Sequence, residues 1–339
     1  MASNGDLDLT EIRGLRGSPG YFKKGKLLSI DEVSACLEFK EHLNDARENM
    51  KFYISNVKTD QFFKLNIEFP ITKLRHVTTE DCMRCIVQEQ YIGIGNNIKP
   101  EPLKDLSCWS AEFPPKEELP YEQAFEKVQR IVPTWDAEPF QEEIKDQFAS
   151  SPAFDNSSSR YGNFVFSFPL SDLLKAYKSQ HCQNGDPQLK VLGTAMYSQE
   201  IAHMVIVHSP DTDRYDKLPM VQTVSSTAES LPFFYRKEED GELYWRPEST
   251  SGGLRVTISE GGEIYTCPLN KTRTGKFCVW NHLIVAFHLP DSKYLVIPEK
   301  QLLENLSACE PAMPYLKDPR TNLSKAEAEE IIKELKNSQ

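Results

Sequence analysis

The stretch QLKVLGTAMYSQEIAHMVIVH, residues 188–208, decides how the chain folds. Gln188 to Met196 and Ile201 to His208 read as two strands, and the second carries apolar side chains on both faces. A strand without a wet face belongs in the middle of a sheet covered on both sides. Upstream, Phe164, Phe166 and Phe168 alternate, and Ser171 is placed to cap a helix carrying Leu173, Leu174 and Tyr177. Downstream, residues 210–231 read as a long polar loop. Phe233 to Arg236 and Leu243 to Arg246 follow, joined through Asp240-Gly241, a hairpin turn pair. Leu254, Val256 and Ile258 alternate up to Gly261-Gly262, and Ile264 to Leu269 returns. Phe277 to Phe287 and Tyr294 to Ile297 add strands, and Pro298 opens a helix through Leu302, Leu303 and Leu306. Ser324 with Glu327 predicts a capping box, starting a helix with Ala328, Ile331, Ile332 and Leu335 on one stripe. Following the prolines at 311, 314 and 319, that helix reads as a detachable tail.

The first half is richer in helical spacing. Ser29 and Glu32 form another capping box, and Cys36, Phe39, Leu43, Ala46, Met50, Tyr53 and Val57 step by three and four. Phe63, Leu65, Ile67 and Phe69 alternate with polar residues, which predicts a half-buried strand in one sheet with Ile201 to Val207. Leu74 to Val77 predicts a second strand. Thr79 then caps a helix with Met83, Ile86 and Val87 on one face, stopped by Gly93 and Gly95. The proline-bearing stretch 98–120 reads as an irregular loop around Leu106 to Phe113, and two helices follow before a polar linker. The expected organisation is an N-terminus without order over 1–20, a helix-rich half over 21–149 and a linker over 150–160. A sheet-rich half over 161–309 packs with the first, and 310–339 carries the Pro-rich stretch and last helix. The fold class is α+β: a mixed, mainly antiparallel sheet with helices packed on it.

The chain has 339 residues, with 39 Lys and Arg against 50 Asp and Glu, a formal net charge of −11. That balance repels polyanions and disfavours nucleic acid as a partner. The acids concentrate between Glu112 and Asp146, which reads as the wet face of two helices or as a docking surface for a protein partner. No apolar run reaches the roughly 18 residues of a spanning helix. The start shows no basic-then-apolar signal pattern, so the expectation is a cytoplasmic protein, with nuclear entry left open. In that setting the eight cysteines are thiols rather than a disulfide frame.

Familiar catalytic motifs are missing. Gly93 and Gly95 lack the third glycine and the preceding strand of a dinucleotide fingerprint. Cys82 and Cys85 form a CxxC that could grip one side of a zinc ion, but no second pair completes a tetrahedral set. On a helix carrying Met83 and Ile86 they read instead as two small buried positions, and no metal is expected. His203, His208, His282 and His288 read as hydrogen-bonded strand histidines.

One segment resembles a known family. Leu74-Arg75-His76-Val77-Thr78-Thr79 leads from a strand into a helix ending near Tyr91-Ile92-Gly93. This is similar to the opening of the ADP-ribosyltransferase fold, where strand, His-Gly-Ser/Thr and helix build one wall of an NAD+ cleft. The resemblance implies that His76 and Thr78 would meet the cofactor, with Val77 standing where glycine is usual. Met196-Tyr197-Ser198-Gln199-Glu200-Ile201 resembles the family's aromatic-x-Glu strand, which would make Glu200 the catalytic glutamate. A second alignment competes: Tyr161-Gly162-Asn163-Phe164-Val165-Phe166 resembles the family's Tyr-Gly-x-Gly segment, with Tyr177 as the stacking tyrosine and the glutamate further on, at Glu229 or Glu242. Two readings stand. One is a binding or regulatory protein without a catalytic site or cofactor. The other is an ADP-ribosyltransferase-like domain, active or degenerate, that binds NAD+ through His76, Thr78, Tyr177 and Glu200.

Overall fold

A computed structural model describes residues 10–13, 19–28, 51–56, 68–94, 103–112, 157–159, 161–197, 200–228, 231–232, 234–245, 254–260, 263–268, 280–290, 294–311 and 323–338. Nine strands form its main sheet. In chain order they are β1 (Thr10–Arg13), β2 (Pro19–Lys24), β3 (Lys73–Thr78), β4 (Leu106–Glu112), β5 (Phe164–Pro169), β6 (Gln188–Tyr197), β7 (Glu200–His208), β8 (Trp280–His288) and β9 (Leu306–Ala308). Their order across the sheet is β1-β2-β6-β7-β8-β4-β3-β5-β9. Every pairing is antiparallel except β7 with β8, which run parallel from Glu200 beside Trp280 to Val207 beside Phe287. The fold is therefore α+β with a mixed, mainly antiparallel sheet. Strands from both halves of the chain interleave, since β3 and β4 lie between β8 and β5.

β7 shows why its sequence belongs in the centre. Val205 and Val207 enter one apolar core, while Ala202, Met204 and Ile206 enter another on the opposite face. Burying one such aliphatic side chain stabilises the fold by about 1.5–3 kcal/mol. The larger core gathers Trp109 of β4, the three phenylalanines of β5 and Phe287 of β8 beneath the helices. The second is closed by Phe22 of β2 and by Tyr215 and Leu218 of the loop after β7.

Four helices are described: α1 (Glu80–Glu89), α2 (Leu170–His181), α3 (Glu299–Glu304) and α4 (Lys325–Asn337). Thr79 is the N-cap of α1, with Glu80 and Asp81 in the first turn, where the helix dipole favours acids. Met83 and Val87, one turn apart, are its buried face. α1 ends on Gln90, held in the left-handed region at φ 57°, before the expected glycines. The N-cap of α2 is Pro169 rather than Ser171. In α4 Ser324 and Glu327 make the expected capping box.

Several expectations are corrected. Cys82 and Cys85 are exposed, because they lie on the side of α1 away from Met83 and Val87. Leu106–Glu112 is a central strand, not a loop: Leu106, Trp109 and Ala111 are fully buried despite the polar and proline-bearing flanks. Thr10–Arg13 and Pro19–Lys24, within or bordering the stretch expected to lack order, pair as edge strands with each other and with β6. Lys51–Asn56 is a strand against Leu254–Glu260, which pairs in turn with Glu263–Pro268. The helical spacing thus does not continue through Tyr53, where aromatic and β-branched residues favour a pleat. The rest of that predicted helix, at 29–50, lies outside the described residues, as do Phe63, Leu65 and Ile67. Phe69 joins a separate four-stranded sheet opposite Trp245, with Gln222–Val224 and Phe234–Lys237 beyond. Finally, α4 is docked rather than detachable. Ala328 and Ile332 enter the larger core, Asn163 Nδ2 donates to Leu323 O at 2.8 Å, and Lys336 Nζ reaches Leu306 O at 3.4 Å.

Candidate functional site

The residues nominated for NAD+ are spread over β3, α2 and the start of β7. His76 and Thr78 lie one pleat apart on the same face of β3. His76 is half-buried, its Nδ1 3.3 Å from Cys108 O and its ring 5.3 Å from that of Trp109. Tyr177, in α2, is fully buried and donates its hydroxyl to His288 O at 2.8 Å. Glu200 begins β7, at the other end of the sheet. Arg75 is opposite Ser110, Ser110 opposite Ile284, and Ile284 opposite Met204. His76 and Glu200 are consequently on the order of 20 Å apart across three strand spacings. Leu74 of β3 enters the larger core, while Ala202 and Met204 of β7 enter the second. Of the later glutamates, Glu242 is exposed in the turn before Leu243–Trp245, and Glu229 lies outside the described residues.

The carboxyl ends of the parallel strands β7 and β8 carry a polar cluster beneath α2. His208 is fully buried, and its Nδ1 donates to Ser209 O at 2.8 Å. That bond fixes the tautomer with an acceptor at Nε2, and burial lowers the imidazole pKa, so the ring stays neutral. His288 faces Arg214, whose Nη1 is 3.4 Å from its Nε2 and donates to Asp105 Oδ2 at 3.0 Å. Asp105 holds a left-handed backbone at φ 60°, and its carbonyl accepts from Leu289 N at 2.8 Å. Asp211 receives Gln183 N at 2.6 Å and Ser209 Oγ at 2.8 Å, and these bonds lower its pKa. Burial pushes the Tyr177 hydroxyl and the Cys182 thiol up, which keeps both protonated at neutral pH. The cluster's bonds pin α2 to the sheet.

From that support a surface ledge projects. The last turn of α2 reaches the strand Leu295–Val296, which pairs with Tyr91–Ile92. Gln180 imitates a neighbouring strand: Val296 N donates to its Oε1 at 2.8 Å, and its Nε2 donates to Val296 O at 2.9 Å. His181 Nε2 lies 3.1 Å from Tyr294 O, and its ring packs 4.9 Å from that of Tyr177. Strand alternation then divides the segment. Leu295 and Ile297 are buried, while Tyr294 is 43% and Val296 52% exposed. The Tyr294 ring stacks on Tyr91 with centroids 3.9 Å apart and planes at 27°. Desolvation, with Tyr294 and Glu89 nearby, raises the Tyr91 pKa. Two large apolar side chains thus stand in solvent on a backbone fixed from both sides. Sequence reading found the strand 294–297 but not this ledge, because Tyr91 and Gln180 come from distant parts of the chain.

The fold and this surface define a helix-backed mixed-sheet α+β protein with a preorganised aromatic ledge. Comparisons with protein-family models, curated proteins and solved structures give no match.

Proposed function

We propose that the protein acts by binding rather than by catalysis, and that Tyr91, Tyr294 and Val296 form the surface on which a partner protein docks. The observation that carries this reading is the exposure of Val296, on a strand whose backbone is bonded on both edges, and of Tyr294 just before it. Such a strand loses little conformational freedom on binding, which favours affinity. The partner is a segment presenting an arginine or lysine beside an apolar side chain. The chain's net charge of −11 attracts it, and the stacked tyrosines offer π faces worth about 0.5–2 kcal/mol to a cation. The acidic run to Asp146, beyond Glu112, lies outside the described residues and would suit the same basic partner. The place of action in this reading is the cytoplasm, where exposed cysteines such as Cys82 and Cys85 would be kept reduced.

Labelled peptides of matched length that are basic–aromatic, neutral or acidic test this by fluorescence anisotropy. The basic–aromatic class should bind, and Tyr294→Ser with Val296→Ser should weaken it at least tenfold. Undiminished binding by the double variant would overturn the proposal. So would calorimetric NAD+ binding that His76→Ala abolishes, since that result would restore the nucleotide reading.

A further inference from the structure

The CxxC of α1 has a use that docking does not require. Free cysteine is among the most buried residue types, yet Cys82 and Cys85 are both exposed while Met83 and Val87 of the same helix are buried. At 100° per residue the two cysteines are centred roughly 150° from the buried pair, on the solvent side. Residues three apart in a helix have Cα atoms about 5 Å apart, inside the roughly 4.4–6.8 Å window that a disulfide spans. Glu80 and Arg84 form their own ion pair at 2.8 Å, beside the buried face and away from the cysteines. Among the described residues no group of three His, Cys, Asp or Glu side chains converges as a metal site. The pair is left with the chemistry of two thiols.

We propose that Cys82 and Cys85 are a redox-labile dithiol that closes to an intrahelical disulfide by exchange with a low-molecular-weight disulfide such as oxidised glutathione. One cysteine thiolate attacks the small disulfide, forming a mixed disulfide and releasing one small thiol. The second cysteine then attacks the protein sulfur of that mixed disulfide and expels the other small thiol. Two protein thiols are oxidised, one disulfide is reduced to two thiols, and no further oxidant is consumed. Both residues are already in solvent and one helical turn apart, so closure needs no opening of the core. Cys309, by contrast, is buried, and its Sγ lies 3.4 Å from Gly162 O.

The full chain is incubated with mixtures of reduced and oxidised glutathione, quenched with acid and alkylated. Trypsin cuts after Arg84, between the two cysteines. The closed form therefore yields the His76–Arg84 peptide joined to the peptide beginning at Cys85, two hydrogens lighter than the sum of the reduced pair. This species should form before Cys108, Cys182 or Cys309 is modified, should vanish on reduction, and should leave the far-ultraviolet circular dichroism unchanged. Cys82→Ser, an exposed and conservative change, should instead trap glutathione on Cys85. Mixed disulfides in the wild type without the joined peptides, equal reaction of the other cysteines, or loss of helix on closure would overturn the proposal.

Discussion

Gly162 should tolerate no side chain. It has φ 147°, and a Cβ built there would lie 2.0 Å from Thr78 O, 2.3 Å from Thr78 C and 2.8 Å from Thr79 N. These are backbone atoms at the junction of β3 and α1, so no rotamer change relieves the clash, and the strand end or the helix start must move. Gly241, in the Asp240-Gly241 turn, is an internal control. Its φ is 71°, but nothing lies within 4 Å of its Cβ position. Gly241→Ala should cost only the backbone term, about 1–2 kcal/mol. Gly162→Ala adds the steric displacement and should exceed about 4 kcal/mol, the range reached only by special mechanisms. Against a typical stability of about 5–15 kcal/mol, that loss would leave the variant marginal. Chemical denaturation followed by the fluorescence of the buried Trp109 and Trp245 measures both changes. Equal midpoint shifts for the two variants would refute the close approach of residue 162 to the β3–α1 junction.

Three further outcomes are expected. Tyr177→Phe should destabilise the protein by about 1–2 kcal/mol in equilibrium unfolding, because His288 O loses a buried donor. His208 has a folded pKa below its unfolded value of about 6.5, so the unfolded state takes up more protons as pH falls. Its contribution is fully present above about pH 6.5 and is lost as pH falls through the folded value, with a slope of at most about 1.4 kcal/mol per pH unit. His208→Asn should flatten that part of the stability–pH profile. Ile332→Ala should lower global stability by about 2–5 kcal/mol and Ser324→Ala by about 1 kcal/mol. An independent tail helix would leave the unfolding midpoint of the sheet unchanged.

What the sequence reveals follows from the range of the interactions involved. β7 is legible because its apolar character on both faces is local, as are the Asp240-Gly241 turn and the Ser324–Glu327 box. β4 is not legible: Trp109 and Ala111 stand between polar residues and nearby prolines, and only the flanking strands β3 and β8 make the segment a strand. β1 and β2 likewise acquire their structure from β6, far along the chain. The Cys82–Cys85 spacing is visible, but which side of α1 faces the core depends on Met83 and Val87 meeting distant residues. For the candidate site, alternation through Tyr294 to Ile297 can be read directly. The stack on Tyr91 and the clasp of Gln180 depend on how α2 and the strands pack. The resemblance at His76 marks a real strand-to-helix transition, yet pairing it with Glu200 requires strand order and register, which no local motif carries.

A double-mutant cycle tests the docking surface most directly. Tyr294→Ser is combined with replacement of the arginine by alanine in a bound basic–aromatic peptide, and affinities are measured for all four pairs. Direct contact between that cation and the Tyr91–Tyr294 stack predicts a coupling of about 0.5–2 kcal/mol. Additive effects, with coupling indistinguishable from zero, would contradict it.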